Sequence, residues 1–376
     1  MNKLGIYVHI PFCIQKCRYC DFYSLSTGND AVYAEYVTAL TRHFAYVSES
    51  ARGHTVDSVY FGGGTPSLLP SRYLCDILDR VREYFTLAKD CEITLEMNPK
   101  TANEKAMVAY IDSGFNRLSI GCQSAVDSEL SMLGRLHTFG DYEETVSMAR
   151  RAGFANISAD LMMGLPNQSL ASLGFSIDRI VATDPTHVSV YGLKIEEGTW
   201  FGQHRDVLKL PDEDAESEQY LYTVERLAEH GYLQYEISNF CKDGYPSRHN
   251  LKYWQGNEYL GFGPAAYSYF AGKRYGYGRS LKDYVTSAVA QNFSKIEIDQ
   301  EILTEKEMLD ERFLLGLRLT QGVRLTEFPL SQRGYELIKR LENEALAVYN
   351  NGILSLTPKG MLLDNYITSD LLLCME

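Results

Sequence analysis

The stretch LGIYVHIPFCIQKCRYCDF, residues 4–22, decides both the fold and the chemistry of this chain. It begins with an alternating apolar strand over residues 4–10 and then turns at Pro11. Three cysteines follow in the pattern C-x3-C-x2-C: Cys13, Cys17 and Cys20. A regular strand would point neighbouring sulfurs apart, whereas a loop lets them converge on one metal centre. The stretch therefore predicts a strand that leads directly into a metal-binding loop.

The number of cysteines in this loop limits the kinds of metal centre. A structural zinc site uses four protein ligands, and the adjoining loop offers no fourth cysteine, so His9 or Asp21 would have to complete it. A [4Fe–4S] cluster held by three cysteines leaves one iron open to a ligand that is not protein. We favour the cluster. There are two alternatives. The first is a zinc site completed by His9 or Asp21, and the second is a group of buried free thiols that bind no metal.

Length and composition exclude several classes of protein. With 376 residues the chain exceeds one typical core, so two or three domains are expected. The net charge of −13 argues against a nucleic-acid groove, which needs a local excess of Lys and Arg. No apolar run approaches the roughly 20 residues of a membrane-spanning helix, and we expect no signal peptide. The other cysteines are scattered singly, which favours a cytoplasmic protein with reduced thiols over a disulfide framework.

Strands and helices alternate from the metal-binding loop to about residue 191. After the first strand, the predicted strands span residues 56–61, 92–97, 117–121, 157–162 and 187–191. Between them lie segments with apolar residues at the three- and four-residue spacing of helices. Such alternation predicts parallel strands joined by right-handed crossovers. Six β/α units, rather than eight, predict an open partial barrel whose functional site lies at the C-terminal ends of the strands.

Unusual residues gather at these predicted strand ends. The glycine-rich segment GGGTP, residues 62–66, follows the second strand and lets the backbone approach a ligand closely. It lacks the Gly-Lys-Ser/Thr that would complete a nucleotide-binding P-loop. Polar side chains lie at or after the next strands: Glu96, Gln123, Arg135 and Asp160. Carboxylates suit an amino group or a ribose, and Arg suits a carboxylate, so we expect a concave ligand site here.

The rest of the chain divides into two further segments, and we expect domains at residues 1–195, 196–300 and 301–376. The middle segment carries the motif HNLKYW, residues 249–254, among tyrosine-rich strand-like pieces. The last segment contains helices followed by a short hairpin, similar to a winged helix. Because the chain is acidic, we expect that domain to pack against protein rather than DNA. The predicted fold class is α/β: an open (β/α)6 partial barrel with an α+β extension and a winged-helix-like C-terminal domain.

Four motifs together give a specific resemblance: HIPFC with the cysteine triad, GGGTP, SIGCQS at residues 119–124 and DLMMGLP at residues 160–166. On these motifs the chain resembles the radical S-adenosylmethionine (SAM) family, and within it the family of oxygen-independent coproporphyrinogen III oxidase and its relatives. Phe22 stands where the oxidase has a further cysteine, and we expect no counterpart of its N-terminal extension. The motif HNxxYW is similar to that of the heme-chaperone branch, which is the closer match.

The resemblance implies a role for each candidate residue. The cluster ligands would be Cys13, Cys17 and Cys20, and a SAM would be held on the open iron by Tyr7, Gly63 and Glu96. Further positions match contacts to a second SAM in the oxidase: Gly64, Thr65, Gln123, Arg135 and Asp160. Whether the chain binds one SAM, two or none stays open. The implied heme contacts are His249, Asn250, Tyr253 and Trp254, because a histidine nitrogen can ligate heme iron and aromatic rings offer flat apolar area.

The resemblance therefore implies a protein that binds heme and transfers it to acceptors, with respiratory proteins as partners and oxidase activity lacking. It allows a homodimer and peripheral contact with a membrane, and it implies no nucleic acid. The alternative is a coproporphyrinogen III oxidase that uses radical SAM chemistry in porphyrin biosynthesis. A third interpretation keeps the scaffold and changes the substrate, because a fold does not determine a function.

Overall fold

The computed structural model describes residues 2–26 and 29–375. Its strands, in chain order, are β1 (Asn2–Ile10), β2 (Phe12–Cys13), β3 (Leu25–Ser26), β4 (His54–Gly63), β5 (Leu87–Met97), β6 (Arg117–Gln123), β7 (Asn156–Met163), β8 (His187–Gly192), β9 (Leu233–Glu236), β10 (Asn239–Cys241), β11 (Tyr259–Phe262), β12 (Tyr267–Phe270), β13 (Lys273–Tyr277), β14 (Glu297–Ile302), β15 (Val323–Arg324), β16 (Ala347–Asn350) and β17 (Ile353–Leu356).

The helices, in chain order, are α1 (Asp30–Ser48), α2 (Ser71–Tyr84), α3 (Glu104–Ser113), α4 (Asp127–Leu133), α5 (Phe139–Ala152), α6 (Leu170–Ala182), α7 (Trp200–Gln203), α8 (Glu213–Glu229), α9 (Arg248–Trp254), α10 (Leu281–Ala290), α11 (Glu305–Gly316), α12 (Gln332–Asn343), α13 (Pro358–Met361) and α14 (Asp364–Leu372). No helix in the described part of the chain combines the length and the apolar character that crossing a membrane requires.

Six parallel strands form the centre of the fold, in the order β1-β4-β5-β6-β7-β8, and the predicted (β/α)6 partial barrel is confirmed. Helix α1 buries apolar residues at three- and four-residue spacing: Tyr33, Tyr36, Val37 and Leu40. Gly114 and Gly153 end α3 and α5 with positive φ angles of 98° and 109°, as a left-handed C-cap requires. Helix α4 was not predicted, because no side-chain cap marks its start at Val126.

The middle segment extends the same sheet at both edges. Strand β11 pairs in parallel with β1, and β12, β13 and β14 follow it in antiparallel order. At the opposite edge, β10 and β9 add to β8. Pairing at both edges satisfies backbone groups that an open sheet would leave exposed. Strands from the first two expected domains thus share one sheet, and the division at residues 195 and 300 stays a prediction.

The last segment has its own apolar core. Strands β15, β17 and β16 form a small antiparallel sheet, and α11, α12 and α14 pack around it. Two helices followed by a hairpin make this segment similar to a winged helix, as the sequence predicts. Its core also includes Tyr220 of α8, so the segment packs directly on the middle segment.

His43 of α1 fastens the antiparallel extension to the barrel. Its Nδ1 and Nε2 atoms are hydrogen-bonded to the hydroxyls of Tyr284 at 2.8 Å and Tyr277 at 2.9 Å. Its ring stacks on Phe293 at 4.0 Å, and burial lowers the pKa of His43 to about 3. The neutral imidazole therefore satisfies two buried hydroxyls of the extension at once.

Replacing His43 with Ala should lower the free energy of unfolding by roughly 3 kcal/mol, because two hydroxyls lose their partner and a cavity forms. Urea unfolding of the variant and of wild type measures the difference. Thr38→Ala, at an exposed position of the same helix, serves as the control and should stay within about 0.5 kcal/mol. A His43→Ala variant as stable as the control would contradict this account of the extension.

Candidate functional site

The main cavity opens at the C-terminal ends of the parallel strands and has a volume of about 550 Å³. The three cysteines of the loop line it, together with seven of the predicted cofactor residues: Gly63, Gly64, Thr65, Glu96, Gln123, Arg135 and Asp160. These residues come from loops and strands spread over more than a hundred residues of sequence. The parallel sheet brings them together because the C-terminal ends of its strands lie at one edge.

The cysteine thiols have polar neighbours on the cavity wall. Arg135 donates a hydrogen bond from Nη1 to Sγ of Cys17 at 3.6 Å, and Sγ of Cys13 lies 3.5 Å from Oγ1 of Thr65. Burial, together with the neighbouring thiols of Cys17 and Cys13, raises the pKa of Cys20 to about 11. A metal centre that binds the thiolates would remove this cost, because coordination replaces the proton.

The donor set at the cavity fits an iron–sulfur cluster. Nε2 of His9 is hydrogen-bonded to the carbonyl oxygen of Tyr23 at 2.9 Å, and its Nδ1 lies 3.2 Å from the Tyr7 hydroxyl. Asp21 is paired with Arg279 at 2.9 Å. Both candidates for a fourth zinc ligand are thus engaged elsewhere, which leaves three soft thiols on one wall, the set that binds iron–sulfur clusters.

Spacing for a single ion is a separate property. Across residues 2–26 and 29–375, no three His, Cys, Asp or Glu side chains stand close enough together to hold one metal ion. In a cluster each cysteine binds a different iron atom, so its ligands are spaced more widely than those of one zinc ion.

Glu96 provides a carboxylate in the wall of the main cavity. The Tyr60 hydroxyl donates to Oε1 at 2.8 Å, and the backbone N–H of Gly63 donates to Oε2 at 3.1 Å. Burial raises the pKa of Glu96 to about 7 against these hydrogen bonds, which lower it. This position requires glycine, because its φ is 111° and because a Cβ there would lie 2.6 Å from the His9 ring.

Another part of the cavity lining combines a cation, an amide and a second carboxylate. Arg135 donates from Nη2 to the carbonyl oxygen of Gly121 at 2.8 Å and also to Asn98. Nδ2 of Asn98 in turn donates to Oγ1 of Thr65 at 2.9 Å. Asp160 accepts from the Ser119 hydroxyl at 3.0 Å, and burial raises the pKa of Asp160. A ligand with amino, hydroxyl and carboxylate groups would find a complement for each on these walls.

Sequence reasoning missed several residues that line this cavity, and three of them matter most for its chemistry: Tyr60, Asn98 and Arg279. The strand pattern could have identified two of them. Tyr60 lies two residues before Gly62 and so faces the same side of β4, and Asn98 directly follows β5. Arg279 comes from the extension, and nothing in the sequence predicts that it reaches the cavity.

A second cavity of about 230 Å³ lies beside the first, with Phe22 and Arg279 on the walls of both. Tyr7 lines this cavity rather than the main one. Most of its other walls are aromatic, from the first strand to the extension: His9, Tyr23, Tyr253, Tyr259 and Tyr267. Phe22 is 65% exposed at the shared rim, so an apolar edge separates the two openings.

The motif HNxxYW lies on α9, whose start is bound by a carboxylate inside the barrel. Glu92 accepts the backbone N–H groups of Arg248 and His249 at 3.1 Å each. The His249 ring is 1% exposed, and its nitrogens are hydrogen-bonded to Ser58 at 3.0 Å and to the Tyr253 hydroxyl at 2.9 Å. Burial lowers the pKa of His249 to about 3, so the imidazole is neutral.

The four residues of the motif do not converge on one pocket. Tyr253 lines the second cavity, whereas His249 lies inside the barrel. Trp254 points the other way, with the Arg318 guanidinium 5.5 Å from its ring. Asn250, half-buried, lies in the first turn of α9. For a nitrogen of His249 to bind iron, one of its two hydrogen bonds must first be released.

Comparison with known proteins identifies relatives over most of the chain. The model of the radical SAM superfamily matches residues 7–180, and that of the HemN C-terminal domain matches residues 303–363. The chain is 39% identical to the heme chaperone HemW of Escherichia coli (strain K12) over 267 residues, which cover 71% of this chain and 70% of the relative. It is 36% identical to the heme chaperone HemW of Bacillus subtilis (strain 168) over 290 residues, 76% of both chains.

Among solved structures, coproporphyrinogen III oxidase (HemN) from Escherichia coli, described as a radical SAM enzyme, has a similar fold. The TM-score is 0.84 at 22% identity, and the match covers 98% of this chain and 89% of the other. At that identity the likeness shows the fold alone.

The raised pKa of Glu96 makes stability depend on pH. Its ordinary value is 4.5 and its value in the folded protein is about 7, so between these limits the folded state binds more protons than the unfolded state. Stability from this group is therefore lost as the pH rises through that window. The free energy of unfolding of Glu96→Gln, whose side chain cannot ionise, should rise by about 2 kcal/mol relative to that of wild type when the pH goes from about 4.5 to about 8. The full pKa shift would give a larger change, but solvent screens part of it at the open cavity.

Urea unfolding of both proteins at the two pH values measures this gain. Glu35→Gln, at an exposed position of α1, is the matched control and should follow wild type at both. An equal difference between Glu96→Gln and wild type at the two pH values would show that the carboxylate has an ordinary pKa.

Proposed function

Because the chain belongs to the family of the heme chaperones HemW within the radical SAM superfamily, we propose that it binds heme and transfers it to acceptor proteins on a scaffold that holds a [4Fe–4S] cluster and SAM. The observation that carries this proposal is the identity of 39% with the Escherichia coli heme chaperone across 71% of the chain. The geometry of the two adjoining cavities supports it.

Cys13, Cys17 and Cys20 would hold the cluster, and the amino and carboxylate groups of SAM would chelate its open iron. Thr65 and Arg135 stand next to two of these sulfurs, within 3.6 Å. An adjacent cation stabilises a thiolate and the negative charge of a thiolate-bound cluster. The residues beside the cysteines therefore favour the anionic form of the site.

SAM would occupy the main cavity, whose volume of about 550 Å³ lies within the range of small-molecule sites. The Gly63 and Gly64 backbone leaves room for a close approach. Glu96 and Asp160 suit the amino group or the ribose hydroxyls, and Arg135 suits the carboxylate. Thr65 and Gln123 complete the wall. Tyr7 lies behind Tyr60, with ring centroids 6.2 Å apart, and would support this site from the second cavity.

Heme would lie against the second cavity. Its volume of about 230 Å³ is below that of sites that enclose drug-sized ligands, so a porphyrin would cover its aromatic rim rather than enter it. Tyr253 and the exposed Phe22 offer flat apolar area there. His249 becomes available as an iron ligand when the Tyr253 hydroxyl leaves Nε2, and Asn250 and Trp254 flank it on α9.

The remaining parts of the proposal concern the surroundings of the protein. All eight cysteines are free in the structure, which suits the reducing cytoplasm that we propose as its location. The acceptors would be heme proteins, including respiratory ones. A homodimer and peripheral contact with a membrane stay predictions.

Anaerobic reconstitution with iron and sulfide should give a cluster with the charge-transfer absorbance of [4Fe–4S] centres in wild type. Each of the variants Cys13→Ser, Cys17→Ser and Cys20→Ser should lack this absorbance, because each thiolate would bind a separate iron. Cys75→Ser, half-buried between α2 and α3, is the control and should assemble the cluster fully. Stoichiometric zinc with no iron in wild type would overturn the cluster and restore the zinc alternative.

Heme titration followed by the Soret band should show saturable binding by wild type, and His249→Ala should change the position of that band if the imidazole ligates iron. His230→Ala, at the end of α8, is the matched control. In parallel, reconstituted protein with SAM and reductant should leave coproporphyrinogen III unchanged. Formation of protoporphyrinogen would establish the alternative, a radical SAM oxidase. A Soret band unaffected by His249→Ala would remove His249 as an iron ligand.

A further inference from the structure

We infer that, in the heme-free protein, His249 is a positioning residue for the main cavity: its ring holds Tyr60 in place, and the Tyr60 hydroxyl holds the Glu96 carboxylate. The inference rests on the proposed binding of SAM next to Glu96. It gives the first residue of the HNxxYW motif a task inside the barrel, in addition to any contact with iron.

The His249 ring has little freedom to move. The backbone N–H of His249 is bound by Glu92, and both ring nitrogens have partners, Ser58 on β4 and Tyr253 one helical turn later. With 1% of the residue exposed, packing closes the remaining space around it. A side chain fixed on every polar atom can serve as a rigid support for its neighbours.

The Tyr60 ring packs against the rings of His249 and Tyr7, whose own centroids are 6.4 Å apart. Its ring centroid is 5.2 Å from that of His249, with an interplanar angle of 27°, and 6.2 Å from that of Tyr7 on β1. A Cβ at Gly62 would lie 3.0 Å from both tyrosine rings and 3.1 Å from the Glu96 carboxyl carbon, so this glycine leaves just enough room for the stack. The position of the Tyr60 hydroxyl is therefore determined largely by His249 and Tyr7.

The hydroxyl matters because of what it does to Glu96. Burial and the neighbouring Asp160 raise the pKa of Glu96, whereas the hydrogen bonds from Tyr60 and Gly63 and the charge of Arg117 lower it. A carboxylate that binds the amino group of a ligand must be ionised. Without a well-placed Tyr60 hydroxyl, the pKa of Glu96 would rise further and the ionised fraction near neutral pH would fall.

Calorimetric titration of the anaerobically reconstituted protein with SAM, in the absence of heme, tests the inference. Near neutral pH, His249→Ala and Tyr60→Phe should each weaken SAM binding by about tenfold, the usual effect of losing a hydrogen bond to a charged group. The pH below which binding weakens should move upward in both variants. His249→Phe, which keeps a ring on Tyr60, should recover most of the affinity, and His230→Ala should bind as wild type does.

A double-mutant cycle separates this role from a general loss of structure. If His249 acts through Tyr60, the variant with both His249→Ala and Tyr60→Phe should bind SAM no more weakly than Tyr60→Phe alone. Two effects that multiply would overturn the inference. Should His249→Ala fail to fold, His249→Leu replaces it, because Leu fills the space without an aromatic face.

The outcomes also distinguish this inference from the proposed function. A reconstituted wild-type protein that binds no SAM would overturn both. Wild-type binding of SAM with unchanged affinity and pH profile in His249→Ala or His249→Leu would overturn this inference alone.

Discussion

Burying charged groups inside a barrel without leaving them uncompensated is the constraint on which the rest of the structure depends. The interior of the six parallel strands contains the carboxylates of Glu92, Glu96 and Asp160. Arg117, 1% exposed, lies among them and is attracted to Glu92 and Asp160. An isolated buried charge would be strongly destabilising. Each carboxylate also accepts hydrogen bonds from another part of the chain, so the interior links segments that are distant in sequence.

Buried backbone groups need hydrogen-bond partners as well, and this need explains how the metal-binding loop is held. Its backbone is hydrogen-bonded to the glycine-rich segment, where Gly64 and Thr65 donate to Ile10 and Phe12 at 2.9 and 2.7 Å. A Cβ at Gly64 would lie 2.7 Å from the Phe12 carbonyl oxygen, so the segment needs glycine for the loop as well as for a ligand. The backbone of Arg18 is hydrogen-bonded to the end of α4 and to the start of α7, so the loop is also held by these two helices.

The sequence predicted what depends on local pattern. The six β/α units follow from hydrophobic spacing, and the strand predicted at residues 117–121 lies within β6. Residues at strand ends could be predicted as neighbours because parallel strands end at one edge. Tyr7 could not be assigned to its cavity, because it lies one layer deeper on β1 than the strand end. The position of α9 could not be predicted either, because it depends on Glu92, 156 and 157 residues away from the N–H groups that it binds.

The motif HNxxYW shows why a ligand set inferred from sequence needs the fold. Its spacing places His249 and Tyr253 on one face of α9, but His249 meets Ser58 and Tyr60 inside the barrel, and Tyr253 alone of the two reaches the second cavity. A single imidazole cannot bind heme iron through Nε2 and keep the hydrogen bond to Tyr253 that fixes its ring. If heme takes His249, the support of Tyr60 weakens, and by linkage a bound SAM must then oppose that ligation to the same extent. If both ligands depend on this one ring, the two cavities would therefore be coupled.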